Sequence, residues 1–371
     1  MKYNQIPNYY EEDWEDYRNN DGVEPVGLLD FDTLFWSAIR CKKGVGWKGT
    51  VSHYILNIMK EIYSITLDLR YNTYTEKPHR VFKVYEPKER EVLSIHFRDR
   101  IYQRVLNDMV IYPTMTRSLI MSNAACQKNK GTDFARELLK SYLRKYYINN
   151  GNSGYLLHID IKGYYPNMVH SLVEKMFEEH LDPDMYERVE KILDKYGEGV
   201  GYNPGSQLVQ IAGISFLDKI DHYIKERLRV KYYIRYMDDM ILLGTKEECE
   251  RYLSLVTDAL SLLGFKPNPT KTKIIKQSKG DLFLGFKFVS TQTGKVIMAL
   301  NPQNIKRERI KLRKLIIKLN NGEITLEKFD AMFNAWWNHA SKSTSKKAID
   351  SVAKIYKEAR RNYREQHKKR N

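Results

Sequence analysis

Cysteine is nearly absent: three in 371 residues, Cys41, Cys126 and Cys249, far apart and without metal-ligand spacing. That excludes a disulfide framework and a cysteine zinc site as the basis of the fold. Long apolar runs are missing as well. Stretches such as 240–243 and 315–317 are a few residues long, far short of the roughly 20 needed to cross a bilayer, so no membrane partner is expected. The N-terminus reads Met1-Lys-Tyr-Asn and then turns acidic, with no apolar signal stretch, which points to a cytoplasmic protein. No internal repeat is present.

What the chain does have is apolar residues in ample number and an excess of positive charge. With 42 % hydrophobic and 12 % aromatic residues it has enough to bury a sizeable core, so global disorder is excluded. Lysine and arginine number 62 against 46 acidic residues, net +16, which makes polyanions the first partners to consider. The charge is uneven. Residues 1–30 carry eight acids and two bases, an acidic arm, whereas residues 301–371 carry nineteen bases and seven acids. Around Lys306, Arg309 and Lys318 the bases recur among Ile310, Leu312, Leu315 and Ile316, the pattern of a helix with one apolar and one cationic face. Trp336 and Trp337 read as core for this helical region.

Helical periodicity fits 50–67, 99–110, 133–147 and 247–263, with a further helical stretch over 167–195 interrupted near Pro183. A glycine-rich loop at 197–205 leads into a long helix reaching about 228. Short β-like runs occupy 155–160, 231–236, 240–243, 282–288 and 296–299. The runs 231–236 and 240–243 flank Met237-Asp-Asp239, which reads as a hairpin with carboxylates at its tip. Strands and helices interleave without the regular alternation of a parallel sheet, so the expected class is α+β.

Three acids stand out: Asp160 at the end of one β-like run, and Asp238 and Asp239 between two others. Adjacent aspartates in an apolar setting are costly unless a cation neutralises them. Hard oxygen ligands of this kind suit Mg²⁺, held by one or two carboxylates together with substrate phosphates. Two ions about 4 Å apart can activate an attacking oxygen and stabilise a leaving one.

Tyr236-Met-Asp-Asp239 resembles the YxDD box of reverse transcriptases, and His158-Ile-Asp-Ile-Lys-Gly-Tyr-Tyr-Pro-Asn167 resembles their first catalytic motif. The likeness runs from about Tyr71 to the C-terminus, in the family's order, and is greatest to bacterial enzymes of the diversity-generating retroelement and retron or group II intron-like kind. It implies a right-hand polymerase: after the acidic arm, fingers over 31–150, palm over 151–290, and a basic helical thumb and tail over 291–371. It also implies two Mg²⁺ ions, with Mn²⁺ as a substitute, held by Asp160, Asp238, Asp239 and the backbone carbonyl of Ile161. Tyr165 falls where the family excludes a 2′-hydroxyl. Lys271, in Gly264-Phe-Lys-Pro-Asn-Pro-Thr-Lys-Thr272, falls where pyrophosphate leaves.

Other blocks match in register. Tyr85-Glu-Pro-Lys-Glu-Arg-Glu91 resembles the strand that grips the triphosphate, nominating Lys88 and Arg90. Arg98-Asp-Arg100 with Gln103 resembles the following block. Asn123-Ala-Ala-Cys-Gln-Lys-Asn-Lys-Gly-Thr132 resembles a basic loop near template, nominating Lys130 and Gly131. Phe283-Leu-Gly-Phe286 resembles the primer-grip hairpin, nominating Phe283 and Gly285. One block departs from the pattern: Gly205, Gln207 and Gln210 are in place as template and nucleotide contacts, but Val209 stands where the family has serine. Gln210 rather than proline favours the diversity-generating side.

The resemblance implies an RNA-directed DNA polymerase from a bacterial retroelement or an antiphage defence system. Its partners would be an RNA template of cognate structure, dNTPs and DNA product, with an accessory protein or a second copy as further partners. Two other readings stay open: a template-independent or protein-primed polymerase of the same fold, and an inactive RNA-binding scaffold. A palm-fold nucleotide cyclase also pairs acids on a hairpin, but leaves the fingers block and the basic thumb unexplained.

Overall fold

The computed structural model describes residues 27, 30–85, 89–197, 199–203 and 205–368. The chain forms two compact units. One takes the described residues up to Ser118 together with Tyr165–Phe216; the other takes Leu119–Tyr164 and everything from Leu217 onward. The backbone passes between them three times, so the units interleave along the sequence, whereas the expected fingers, palm and thumb are consecutive. Apart from Gly27 and Asp30, the acidic arm lies outside the described residues.

The first unit is mostly helical. Helices Phe31–Lys42, Ile58–Arg70 and Phe97–Leu106 share a core of Leu34, Ala38, Ile62, Ile65, Ile101 and Val105, all fully buried. These recur at the three- and four-residue spacing that gives a helix one apolar face. The helix expected over 50–67 is two, Gly49–Leu56 and Ile58–Arg70. It breaks at Asn57, whose side chain donates to the His53 carbonyl, a local bond that competes with the helical ladder. Strands β1 (Arg80–Val84) and β2 (Arg90–Ser94) pair antiparallel as an isolated hairpin. Helices His170–Glu178, Pro183–Leu193 and Gln207–Ser215 complete the unit. The last was expected to run on to about 228. It stops instead at Phe216, and the next helix, Asp218–His222, already belongs to the second unit.

The second unit is built on a four-stranded antiparallel sheet of β3 (Tyr155–Asp160), β4 (Tyr233–Tyr236), β5 (Asp239–Gly244) and β6 (Lys273–Lys276), in the order β4-β5-β3-β6. Alternate residues face opposite ways. Leu156, Ile234, Ile241 and Leu243 share one face and a core with Ala135, Leu139 and Leu143 of helix Thr132–Asn150. Leu157 and Leu242, facing the other way, are also fully buried, with helix Lys246–Ser261 against β3 and β5.

A three-stranded meander follows, β7 (Asp281–Phe283), β8 (Phe286–Ser290) and β9 (Val296–Leu300), and then helices Pro302–Asn320, Leu326–Ala340 and Lys346–Lys368. These pack around Leu312, Leu315, Leu319, Phe329, Phe333 and Val352. Trp336 and Trp337 are half-buried against both this core and that of the sheet. Ile310 departs from the expected apolar face: it is 45 % exposed, on the cationic side beside Arg307, Lys311 and Lys314. Among the described residues, the cysteines are all free and no helix is long and apolar enough to cross a membrane.

Candidate active site

The sheet brings the acids together by register. Asp160 ends β3, Asp239 begins β5, and the two are direct antiparallel partners, a pairing that sets Cα atoms about 5 Å apart. Asp238 occupies the β4–β5 turn, preceded by Met237 in the left-handed region at φ +55°. Asp160 and Asp239, 79 positions apart along the chain, thus share one end of the sheet with Asp238 only because three short strands lie in register.

Asp160 is almost completely buried. Its Oδ1 accepts from Lys271 Nζ at 2.5 Å and its Oδ2 from Asn268 Nδ2 at 3.0 Å. The 266–272 loop also closes on the backbone here: Asn268 N donates to the Asp160 carbonyl and Lys162 N to the Lys266 carbonyl. Asp160's hydrogen bond raises Lys271 above its usual value and keeps it cationic. Burial, then the charges of Asp239 and Asp160, push the half-buried Asp238 carboxyl up to about 6.

Asp239 has a different partner. His158 Nε2 lies 3.3 Å from Asp239 Oδ1, and His158 Nδ1 lies 2.7 Å from Oδ2 of Asp281 on β7. Burial alone pushes the imidazole down, but the two carboxylates outweigh it and raise it to about 9. Lys273 Nζ completes the chain at 2.6 Å from Asp281 Oδ1. Sequence reasoning missed His158, Asp281 and Lys273 as site residues. His158 carried a signal, since residues two apart on a strand share a face; its bond to Asp281, 123 positions away, carried none.

In charge and donor type the acids fit divalent ions: three carboxylates stand at one sheet end, and one of them, Asp238, is raised to about 6 by burial first and then by its negative neighbours. Both oxygens of Asp160 and one of Asp239 are engaged by Lys271, Asn268 and His158, and among the described residues no three His, Cys, Asp or Glu side chains form a metal-holding group. Ion binding at Asp160 therefore requires Lys271 to give way. Ile161 is buried, and the ladder bonds framing it use the carbonyls of Asp160 and Lys266, not its own.

The other expected residues divide into three groups. Lys88 lies outside the described residues, and of Arg90 only the backbone is described, paired with Val84. In the first unit, Tyr165 lies on a short 3₁₀ turn, its ring against the helix Gln207–Ser215: a Cβ on Gly213 would sit 2.6 Å from the Tyr165 hydroxyl. Gln207 and Gln210 are half-buried on that helix. Val209 is fully buried there, where an apolar side chain packs and a serine would need a partner. Ser206 caps the helix at Leu208 N and donates to Gln103 Oε1 at 2.9 Å, and Gln103 Nε2 donates to Glu76 Oε1 at 2.6 Å. Gly205 is needed for close packing, because a Cβ would meet the Leu93 carbonyl at 2.4 Å.

In the second unit Lys130 turns into its own loop, donating to the Asn123 carbonyl and to Gln127 Oε1, and the adjacent Gly131 starts the helix Thr132–Asn150 at φ +142°. Phe283 is 2 % exposed. Its side chain belongs to the core, which corrects the expectation that it meets a primer. Gly285 is exposed at the β7–β8 turn with φ +89°. Arg136 donates from Nε and Nη2 to the Leu284 carbonyl of that turn.

The family model described as reverse transcriptase (RNA-dependent DNA polymerase) matches residues 87–288, more than half of the chain. No curated protein matches. The matched span contains all three aspartates, the strands that align them and the loop of Lys271. The chain therefore belongs to the reverse transcriptase family: it is an RNA-directed DNA polymerase, a nucleotidyltransferase that joins dNTPs into DNA on an RNA template.

Proposed function

We propose that this polymerase makes cDNA by two-metal-ion nucleotidyl transfer and serves a bacterial retroelement or an antiphage defence system, copying a cognate structured RNA. The observation that carries the chemistry is the direct pairing of Asp160 with Asp239 beside the turn of Asp238. In this reading Asp160 and Asp238, with the Ile161 carbonyl, are the principal Mg²⁺ ligands, and Asp239 is the auxiliary acid. Bound there, the ions supply activation of the primer 3′-oxygen and charge stabilisation of the leaving pyrophosphate.

The protein's own groups do the rest. Lys271, already cationic beside Asp160, is placed to neutralise or protonate the leaving pyrophosphate. Asn268 and Thr272 hold the end of β3 in place. Tyr165 packs under the incoming sugar and rejects a 2′-hydroxyl, while Lys88 and Arg90 grip the triphosphate. Gln207 and Gln210 touch the nascent pair. Lys130, Gly131, Gly205 and Gly285 lie along template and primer. The fingers, palm and thumb follow the 31–150, 151–290 and 291–371 division, and Arg307, Lys311, Lys314 and Lys318 on the thumb's first helix follow the duplex phosphates.

The test is extension of a DNA primer on RNA with Mg²⁺, run beside reactions containing dNTPs alone. Templated product supports the reading, and Asp238→Asn must abolish it. Untemplated product assigns a template-independent polymerase of the same fold, and no product from folded protein assigns a binding scaffold.

A further inference from the structure

The catalytic turn rests on a buried guanidinium. Arg235, the third residue of β4, is fully buried, as is Asp221 on the helix Asp218–His222. Arg235 Nε lies 2.8 and 3.0 Å from the two Asp221 oxygens, and Nη2 lies 2.6 Å from Oδ2. Tyr233, two residues back on the same strand, donates its hydroxyl to Asp221 Oδ1 at 2.6 Å. The strand itself is tied on its outer side: Arg235 N donates to the Ser122 carbonyl, and Ala124 N donates to the Arg235 carbonyl.

The remaining arm of the guanidinium points along the chain into the turn, where Nη1 donates to the Met237 carbonyl at 3.1 Å. That carbonyl belongs to the peptide between Met237 and Asp238. Met237 is a non-glycine residue in the left-handed region, a conformation side chains resist unless the surroundings hold it. A buried ion pair is weak evidence of stabilisation, because desolvation offsets the attraction; where such a pair is kept, a geometric role is the hypothesis to test.

We propose that Arg235 and Asp221 are positioning residues for the catalytic turn. Asp221 fixes the plane of the guanidinium, the guanidinium fixes the Met237–Asp238 peptide, and that peptide sets the direction in which the Asp238 carboxylate leaves the backbone. Neither residue touches the reacting atoms. The inference rests on the reading that Asp238 is catalytic.

The experiment measures kcat and dNTP KM of the full chain on primed RNA, well below the unfolding midpoint of each variant. Lysine keeps a charge for Asp221 but lacks the fork that reaches both the carboxylate and the Met237 carbonyl. Arg235→Lys is expected to lower kcat about 10- to 100-fold, the scale of a misplacement of about 1 Å, with KM within about twofold. Glycine enters the left-handed region freely, so Met237→Gly added to Arg235→Lys is expected to recover most of the lost kcat. A kcat unchanged in Arg235→Lys overturns the proposal, as does a loss that the added glycine does not relieve. If Arg235→Lys does not fold, Tyr233→Phe decides: a kcat fall of about threefold or more at constant KM supports the proposal, and an unchanged kcat overturns it. Activity surviving in Asp238→Asn would instead overturn the catalytic reading of that acid.

Discussion

Glu76 gives a prediction whose sign and size follow from its surroundings. Its carboxylate is buried, accepts from Gln103 through one oxygen, and has His79 Nε2 at 3.6 Å from the other. Burial is the main cause that pushes it from 4.5 up to about 7. An acid so raised binds its proton more tightly in the folded state than in the unfolded one. Its contribution to stability is therefore fully present below about 4.5 and is lost as pH rises through about 7. At about 1.4 kcal/mol per pH unit, the whole window is worth on the order of 3 kcal/mol. Glu76→Gln keeps an acceptor for Gln103 and removes the titration. Denaturant unfolding of both proteins between pH 5 and pH 8 cancels the groups they share. The variant is expected to gain about 2–3 kcal/mol relative to wild type across that range. A difference that stays flat, or that grows toward low pH, would refute the assignment. The consequence reaches the site, because Gln103 passes the contact on to Ser206, which caps the helix bearing Gln207 and Gln210.

Three further outcomes are expected. In Gly213→Ala the new methyl lies 2.6 Å from the Tyr165 hydroxyl, so the ring must shift; selection for dNTP over rNTP should fall about tenfold or more, and Tyr165→Ala should lose it too. An unchanged ratio in Tyr165→Ala removes the tyrosine as gate, and an unchanged ratio in Gly213→Ala alone removes the glycine's part in setting it. Lys271→Ala takes away the cation on Asp160 and should slow single-turnover chemistry about 10²- to 10⁴-fold at unchanged primer–template affinity; a weakened affinity with intact chemistry would make Lys271 a binding residue. Replacing Arg307, Lys311, Lys314 and Lys318 by alanine together should reduce the salt dependence of heteroduplex binding by about three to four units of log–log slope. An unaltered slope would remove that stripe from the interface.

The parts of the fold that sequence displayed were those decided locally. The runs 155–160 and 240–243 are largely apolar on both faces and abut acids, so their burial could be read, as could the hairpin between 231–236 and 240–243. Strand β6, Lys-Ile-Ile-Lys over Lys273–Lys276, was not legible, because four residues with charged ends become a strand only through their pairing with β3. The same reason hid the relay from Asp239 through His158 to Asp281, and the pairing of Arg235 with Asp221: each depends on strand register across a long stretch of chain. Phe283 was misplaced because a motif names positions without saying which face of the strand is buried. Asn57 and Phe216 ended helices that periodicity alone would have continued.

The interleaving of the two units governs the order in which they can mature on a ribosome. The first cannot close until Phe216 has been made, and β3 must wait for β5, roughly 80 residues further on, a delay of about 4–16 s at ordinary elongation rates. Throughout that interval the apolar run ending in Asp160 has neither neighbour it will have in the finished sheet. Nascent chains halted near residue 220 should thus be the form of this polymerase that chaperones hold and proteases cut most readily.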